Sequence, residues 1–514
     1  MKTLIHSLIL STLSISILSI HIPFTQIRAG ETVKYYPSIP IYESSNIRLL
    51  EIKKTELLKL KKTLSKYNIP FKPTYETEDS LRFILNLKNE YKLRKSGLDY
   101  KLIDYKHAAF TQYQPSYHKY IVRGLESLDD LTKSYKDLNL NYIFLKQLSE
   151  KYPELVTFHI IGKTRLGNPI PAISIEEKNS VDKVSVLING AHHSNELIST
   201  EHCYDIIYSI LSHPSKYKKY LTHFRLWFVP IVNPDGSYFF WHKSLMMGRK
   251  NGYLPPETSA DSLYRGVDLN RNYPFQWNTG QSKASSGQEN SVFFRGKTPG
   301  SEPETKTMMW LSEQERFLFS LSFHSFATCI LYPYSIEEIK NPEPDYVKNL
   351  AERMADAAIS MRQKKRFIAR KNIYPVDGTD QDYFYFQYGT NALLVESSHH
   401  NPPYRLARKV MEGFREVWEM VFNEYIHGIK IILKITDEDG KPLSAIVKIK
   451  EIQTFEGESH TSHPKTGLFT KMVLEEKSYN LSIKHPGYHP KEIRIKASDA
   501  LKAYPIKLIK VENP

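Results

Sequence analysis

A chain of 514 residues is too long for one ordinary domain and predicts two to four. Its 41% hydrophobic and 25% charged residues are the proportions of a protein that buries real cores, which excludes a largely disordered chain. The net charge of +14 comes from 70 Lys and Arg against 56 Asp and Glu, but the Lys residues are interspersed with acidic ones and no nucleic-acid-binding module accompanies them, so nucleic acid is not an expected partner.

Residues 1–29 read as an export signal: Lys2, an apolar and Ser-rich run from Leu4 to Ile22, then a short polar tail. The run is long for a signal, so an uncleaved N-terminal membrane anchor is the alternative. Either way the protein is expected to be secreted, periplasmic or held at the cell envelope. Residues 33–110 alternate short strands with a helix: Leu57, Leu58, Leu60 and Leu64 make a helical face, and Leu81, Phe83 and Leu85 alternate as in a strand. A polar, Tyr-rich linker follows at Lys106–Val122. Residues 120–427 predict an α/β domain with a mixed, mostly parallel central sheet flanked by helices. Its apolar strands are Val184–Asn189, Phe224–Ile231, Leu318–Phe323 and Ala392–Val395. From residue 428 to 514 the pattern becomes alternating, with Ile429, Ile431, Leu433 and Ile435 before an Asp439-Gly440 turn, which predicts a small antiparallel β-sandwich. The two cysteines, Cys203 and Cys329, make no disulfide framework and read as buried apolar residues.

Four segments carry chemistry. In the first, a buried strand runs into Gly190-Ala191-His192-His193-Ser194-Asn195-Glu196 ahead of a helix, and an imidazole and a carboxylate three residues apart on such a turn can converge on one cation. With 19 His and 56 acidic residues, roughly two such spacings arise by chance, so this segment alone decides nothing. In the second, Asp268, Asn270 and Arg271 place a carboxylate, an amide and a guanidinium within four residues. Arg can clamp a carboxylate in two-pronged fashion, and Asp268 could orient a metal-binding imidazole. The third is His324 at the end of an apolar strand, where ligands gather in open α/β sheets. The fourth runs from Ile373 to Tyr383 and leads to Glu396, a carboxylate closing a buried strand; beside a metal such a group can take the proton of metal-bound water.

In this order the segments resemble the zinc metallocarboxypeptidases of the carboxypeptidase A/B type, close to bacterial carboxypeptidase T, over about Tyr142 to Phe422. Asn233-Pro234-Asp235-Gly236 with Arg249-Lys250 is the remaining motif of that resemblance. It implies one Zn²⁺ held by His193, Glu196 and His324, with Glu396 as general base and proton shuttle and Arg249 polarising the scissile carbonyl. It further implies that Asn270, Arg271 and Tyr374 hold a free C-terminal carboxylate and that Asp268 orients His193. Peptide and protein C-termini are the implied partners, and a monomer is expected. The family's usual Arg before the zinc-binding Glu is Asn195 here, which affects binding of extended substrates. Residues 33–110 resemble the pro-regions of these enzymes, through Lys95-Ser96-Gly97-Leu98-Asp99-Tyr100. Residues 428–514 resemble the transthyretin-like domain appended to some of them.

By the same resemblance Gln381 lies at the base of the side-chain pocket, with Ser335, Val376 and Thr379 as its wall and broad or mixed specificity expected. Asp377 and Asp380 either offer a carboxylate to a basic side chain or are turn residues beside Gly378. The basic run Arg362–Lys371 reads as a solvated face, with attraction of anionic substrates such as peptidoglycan stems as the alternative. Two alternatives keep the fold: a hydrolase of peptidoglycan stem peptides with D- or γ-linkages, and a non-catalytic binding protein.

Overall fold

The computed structural model describes residues 47–71, 73, 75, 76, 79–103, 113, 124–179, 182–242, 247–252, 265–361 and 363–511. The expected export signal lies outside these residues, as does most of the Lys106–Val122 linker.

The N-terminal segment forms a four-stranded antiparallel sheet in the order β2-β3-β1-β4, from β1 (Ile47–Lys53), β2 (Tyr75–Glu76), β3 (Ser80–Asn86) and β4 (Lys101–Ile103). Where one helix was expected there are two, α1 (Leu57–Lys66) and α2 (Leu87–Lys95). The second is mostly polar, with Leu93 buried and Tyr91 exposed, so it shows no clear apolar face in the sequence. Leu50, Ile52, Leu60, Leu64, Leu81, Phe83 and Leu93 form this segment's own core.

The large α/β region is built on an eight-stranded sheet in the order β11-β10-β12-β9-β7-β8-β6-β5. The strands are β5 (Val156–Lys163), β6 (Pro169–Ile175), β7 (Val184–Gly190), β8 (Phe224–Val229), β9 (Phe319–His324), β10 (Cys329–Leu331), β11 (Ile368–Arg370) and β12 (Asn391–Glu396). Neighbours run parallel at β8/β7, β7/β9, β9/β12 and β10/β11, and antiparallel at the other pairings. Every residue of β7 and β9 is buried, which is why both read as continuous apolar runs in place of alternation. Helices α3 (Leu138–Lys151), α4 (Leu197–Ser212), α5 (Pro214–Leu221), α6 (Pro234–His242), α7 (Pro303–Glu315), α8 (Tyr346–Ala357), α9 (Asp380–Tyr388), α10 (Tyr404–Gly413) and α11 (Arg415–His427) flank this sheet. β8 stops at Val229, short of the expected Ile231, because Pro230 brings no N–H to the ladder. Among the described residues no helix is long and apolar enough to cross a membrane. Cys203 and Cys329 are both free and buried.

Past His427 two three-stranded sheets pack face to face. One is ordered β15-β13-β18 from β13 (Lys430–Thr436), β15 (Leu468–Met472) and β18 (Tyr504–Lys507). The other is ordered β14-β16-β17 from β14 (Ile446–Ile449), β16 (Ser478–Lys484) and β17 (Lys491–Lys496). Inward residues of both, such as Ile431, Leu433, Phe469, Val447, Leu481 and Ile483, share one core. The expectation of a wholly antiparallel sandwich needs correction: β18 pairs parallel to β13. A parallel neighbour needs a long crossover, and here the domain's own intervening strands supply it. The opposite face of the β13 sheet, through Ile432, Leu468 and Met472, belongs to the core of the α/β region.

Candidate metal centre and substrate cavity

The pairing of β7, β9 and β12 positions the chemistry. They are adjacent and parallel, with Gly190 opposite Phe323 and His324 opposite Glu396, so their C-terminal ends finish at one edge of the sheet. Ligands collect at that edge in open α/β sheets. His324 and Glu396 are the last residues of β9 and β12, and His193 and Glu196 lie in the turn from β7 into α4. That turn is tight. A Cβ on Gly190 would stand 2.6 Å from the Ser199 carbonyl oxygen, so only glycine lets the strand end pass so close to the helix start.

Two imidazoles and one carboxylate converge there. His193 Nδ1 lies 2.8 Å from Glu196 Oε1 and His324 Nδ1 lies 2.9 Å from Glu196 Oε2; one ligand atom from each residue falls within 4.8 Å of the others. All three residues are buried. Such a set fits Zn²⁺: two neutral imidazole nitrogens and a carboxylate can all turn lone pairs toward one ion, whereas three buried polar groups facing one another without a cation would be costly. His193 is held from behind, its Nε2 3.0 Å from Asp268 Oδ1, which leaves Nδ1 as its metal-facing nitrogen. Burial pushes the Asp268 carboxyl up, but Arg249 and His193 outweigh it and hold it well below the usual carboxylate range. Burial likewise raises Glu196, and His193 and His324 overcome that to keep it ionised.

A cavity of about 220 Å³ opens beside this set, and His193, Glu196, His324, Arg249, Asn270, Arg271, Tyr374, Gln381 and Glu396 all line it. Burial, then the negative charge of Glu196, pushes the Glu396 carboxyl up to about 7. Arg249 donates to Asp268 Oδ2 at 2.7 Å, comes within 3.9 Å of Glu196, and lies over the Phe293 ring at 5.1 Å. Arg271 is pinned through Nε to the Ala284 carbonyl and through Nη1 to the Asn270 carbonyl, and Nη2 reaches the Tyr374 hydroxyl at 3.2 Å. The Asp380 N–H donates to Asn270 Oδ1 at 2.8 Å, which fixes that amide with its donor end the other way. Tyr374 is 41% exposed and lines the cavity from its rim.

Other expected pocket residues divide. Val376 and Thr379 line the cavity; Ser335 does not, because its N–H and hydroxyl are spent on Asp382. Asp377 and Asp380 line none of it either. Asp377 accepts from the Thr279 N–H and hydroxyl, and Asp380 starts α9 with its carboxylate 3.8 Å from His192. Turn and helix-start residues is therefore what they are, and neither offers a carboxylate to a basic side chain in the cavity. Asn195 also stays off the lining. The sequence gives no warning of Phe293, whose ring lies beneath both Arg249 and Arg271, or of Phe326, Leu331 and Leu394 on the lining. Phe293 sits between Val292 and Phe294 in an irregular loop, with no periodicity to mark which of them meets the two arginines.

The profile of the zinc carboxypeptidase family matches residues 142–416, more than half of the chain. The chain belongs to that family. Human mast cell carboxypeptidase A is 29% identical over 248 residues, 47% of this chain and 57% of the human one. A protein of Blastomyces gilchristii named inactive metallocarboxypeptidase ECM14 is 28% identical over 257 residues, 47% of this chain and 42% of that one. The chain thus spans about half the length of these relatives. Thrombin activatable fibrinolysis inhibitor superposes with a TM-score of 0.56 at 20% identity, covering 74% of this chain and 99% of that one, a likeness of fold.

Proposed function

We propose that this zinc carboxypeptidase family member is an active enzyme that hydrolyses the last peptide bond of peptides and proteins. The observation that carries the reading is that one cavity is lined at once by a set fit for Zn²⁺, a half-buried carboxylate raised to about 7, and a pinned guanidinium. Arg271, with Asn270 and Tyr374, holds the free C-terminal carboxylate. This places the terminal residue's side chain against Val376, Thr379 and Gln381 and its scissile carbonyl toward His193, Glu196 and His324. A bound Zn²⁺ supplies Lewis acidity and lowers the pKa of water. Glu396 takes the proton of the attacking water and delivers it to the departing amine, tasks for which a carboxyl near neutrality is suited. Arg249 faces the developing oxyanion with a charge that Asp268 holds in place.

The named inactivity of a relative belongs to that relative; here the ligand set and the base are all present. The cavity carries nothing, among the described residues, that favours the stem-peptide alternative. The sheet past His427 supports a transthyretin-like assignment, and the separate core of residues 47–103 supports a detachable pro-region of an exported precursor. Kinship nearer to carboxypeptidase T than to other members belongs to the same proposal.

The test is release of C-terminal amino acids from a peptide mixture by the zinc-loaded protein, followed by mass spectrometry. Glu396→Gln should keep one zinc per chain and lose activity by roughly three or more orders of magnitude. Near-wild-type release by that variant, or no release by the wild type, sinks the reading.

A further inference from the structure

The C-terminal domain does not line the cavity, yet it touches chain close to three of the stretches that line it. Gln453 and Glu343 exchange backbone hydrogen bonds at 3.0 Å, which ties the loop after β14 to the α/β region. Just beyond, the Phe455 ring lies 5.9 Å from Phe275, 5.7 Å from Tyr334 and 6.2 Å from Phe386. Each partner is a short step along the chain from a lining residue: Phe275 from Arg271, Tyr334 from Leu331, and Phe386 from Gln381. Phe275 also stacks on Tyr334 at 5.0 Å and meets Phe386 at a tilt at 4.4 Å, so the three rings form one cluster against which Phe455 packs.

Glu458 adds a polar lock. Its Oε1 accepts the Tyr334 hydroxyl at 2.6 Å and the Phe455 N–H at 3.0 Å, so one carboxylate fixes the loop's own shape and its partner's ring together. Ser335, next after Tyr334, donates its N–H to Asp382 at 2.9 Å, and Asp382 adjoins Gln381 in the first turn of α9. Farther along the same helix the Tyr385 ring stands edge-on to His460 at 5.8 Å.

Cohesion between the domains has a second source besides these rings. Ile432, Leu468 and Met472 already bury the β13 sheet against the α/β core. Among the described residues, the ring contacts of Phe455 fall on cavity-bearing stretches and not on the strand ends that carry His324 and Glu396.

We propose that Phe455 and Glu458 are positioning residues of the substrate cavity. They set the spacing among Arg271, Leu331 and Gln381, and with it the affinity and side-chain choice for the terminal residue of a peptide, while leaving the metal set alone. This rests on the carboxypeptidase reading for the identity of the occupant. A misplacement of about 1 Å that starts far from the reacting atoms can cost an enzyme about 100-fold.

The experiment uses the full chain with Phe455→Ala, Phe455→Tyr, Glu458→Gln and Tyr334→Phe. KM and kcat are measured on peptides identical except for a terminal Phe, Gln or Lys, with zinc content determined alongside. Phe455→Ala should raise KM about tenfold or more and change the order of preference among the three peptides, with kcat within about threefold and one zinc retained. Phe455→Tyr should restore both properties, and Tyr334→Phe and Glu458→Gln should move them in the same direction as Phe455→Ala by less. Unchanged KM and unchanged preference in Phe455→Ala and Tyr334→Phe overturn the proposal, as does loss of zinc in step with activity. Should Phe455→Ala fail to fold, Tyr334→Phe, which loses one hydroxyl, decides. Calorimetric dissociation constants for the same peptides in a Glu396→Gln background read the coupling without turnover, so an inactive wild type defeats the reaction while binding still judges the proposal.

Discussion

At the scale of single residues, the site depends on Asp268 more than its distance from any substrate suggests. Its two oxygens are divided between His193 Nε2 and Arg249, so one buried carboxylate aims both a metal-facing imidazole and the guanidinium beside it. Asp268→Ala should weaken zinc binding by roughly 10–100-fold, read by competition with a chelator, and lower kcat as well. Wild-type zinc affinity in that variant would mean that His193 needs no such support. No one segment of the sequence decided the candidate site; His193, Glu196, His324 and Glu396 were legible only as an ordered set, at strand ends or in the turn after one, through the family resemblance that the set carries. The Phe293 ring beneath two arginines was not legible, because a loop position gains its meaning only when distant guanidiniums arrive over it.

At the scale of elements, β7, β9 and β12 were readable as apolar runs, and their ends fell within one or two residues of expectation. Their order in the sheet was not, since runs buried on both faces carry no mark of which neighbour they pair with. The parallel pairing of β18 with β13 escaped for another reason: Tyr504–Lys507 is short and mostly exposed, with Ile506 its one buried residue, so no pattern marked it as a strand. The turn before α9 shows how an element fixes the cavity. Gly378 has φ +62°, and a Cβ there would stand 2.4 Å from the Arg271 carbonyl oxygen, while its own carbonyl accepts the Tyr273 N–H at 3.0 Å. Gly378→Ala therefore meets both backbone strain and a backbone clash. It should lower stability by about 2 kcal/mol or more and raise KM for peptides, because the Arg271 segment must shift to admit the methyl group. Thermal melting together with peptide kinetics checks both. A variant as stable as the wild type with unchanged KM would show that the two segments are not braced against each other.

At the scale of the whole molecule, buried ionisable groups away from the cavity set how stability follows pH. Burial, then the nearby Asp235 charge, pushes the Glu304 carboxyl from 4.5 up to about 8. A carboxyl raised in the folded state keeps its proton there while the unfolded chain loses it, so its contribution is full below pH 4.5 and is lost as pH rises to about 8. The stability of the wild type minus that of Glu304→Gln should therefore fall over this window by a few kcal/mol, as measured by urea unfolding at several pH values. A difference independent of pH would show that Glu304 is ionised in the folded protein. His159 works in the opposite sense: burial lowers it to about 4, so the folded state refuses a proton that the unfolded chain takes, and stability is lost as pH falls from 6.5 toward 4.

The division of the apolar interior has a consequence for how the molecule comes apart. Ile432, Leu468 and Met472 make the β-sandwich a tenant of the same interior as the eight-stranded sheet, whereas residues 47–103 keep an interior of their own. Scanning calorimetry should accordingly record two endotherms, a small one for the N-terminal segment and a large one in which everything from the α/β region onward melts together. A protease that removed residues 47–103 would leave the rest of the interior whole, whereas a chain cut after His427 would leave raw apolar surface and precipitate.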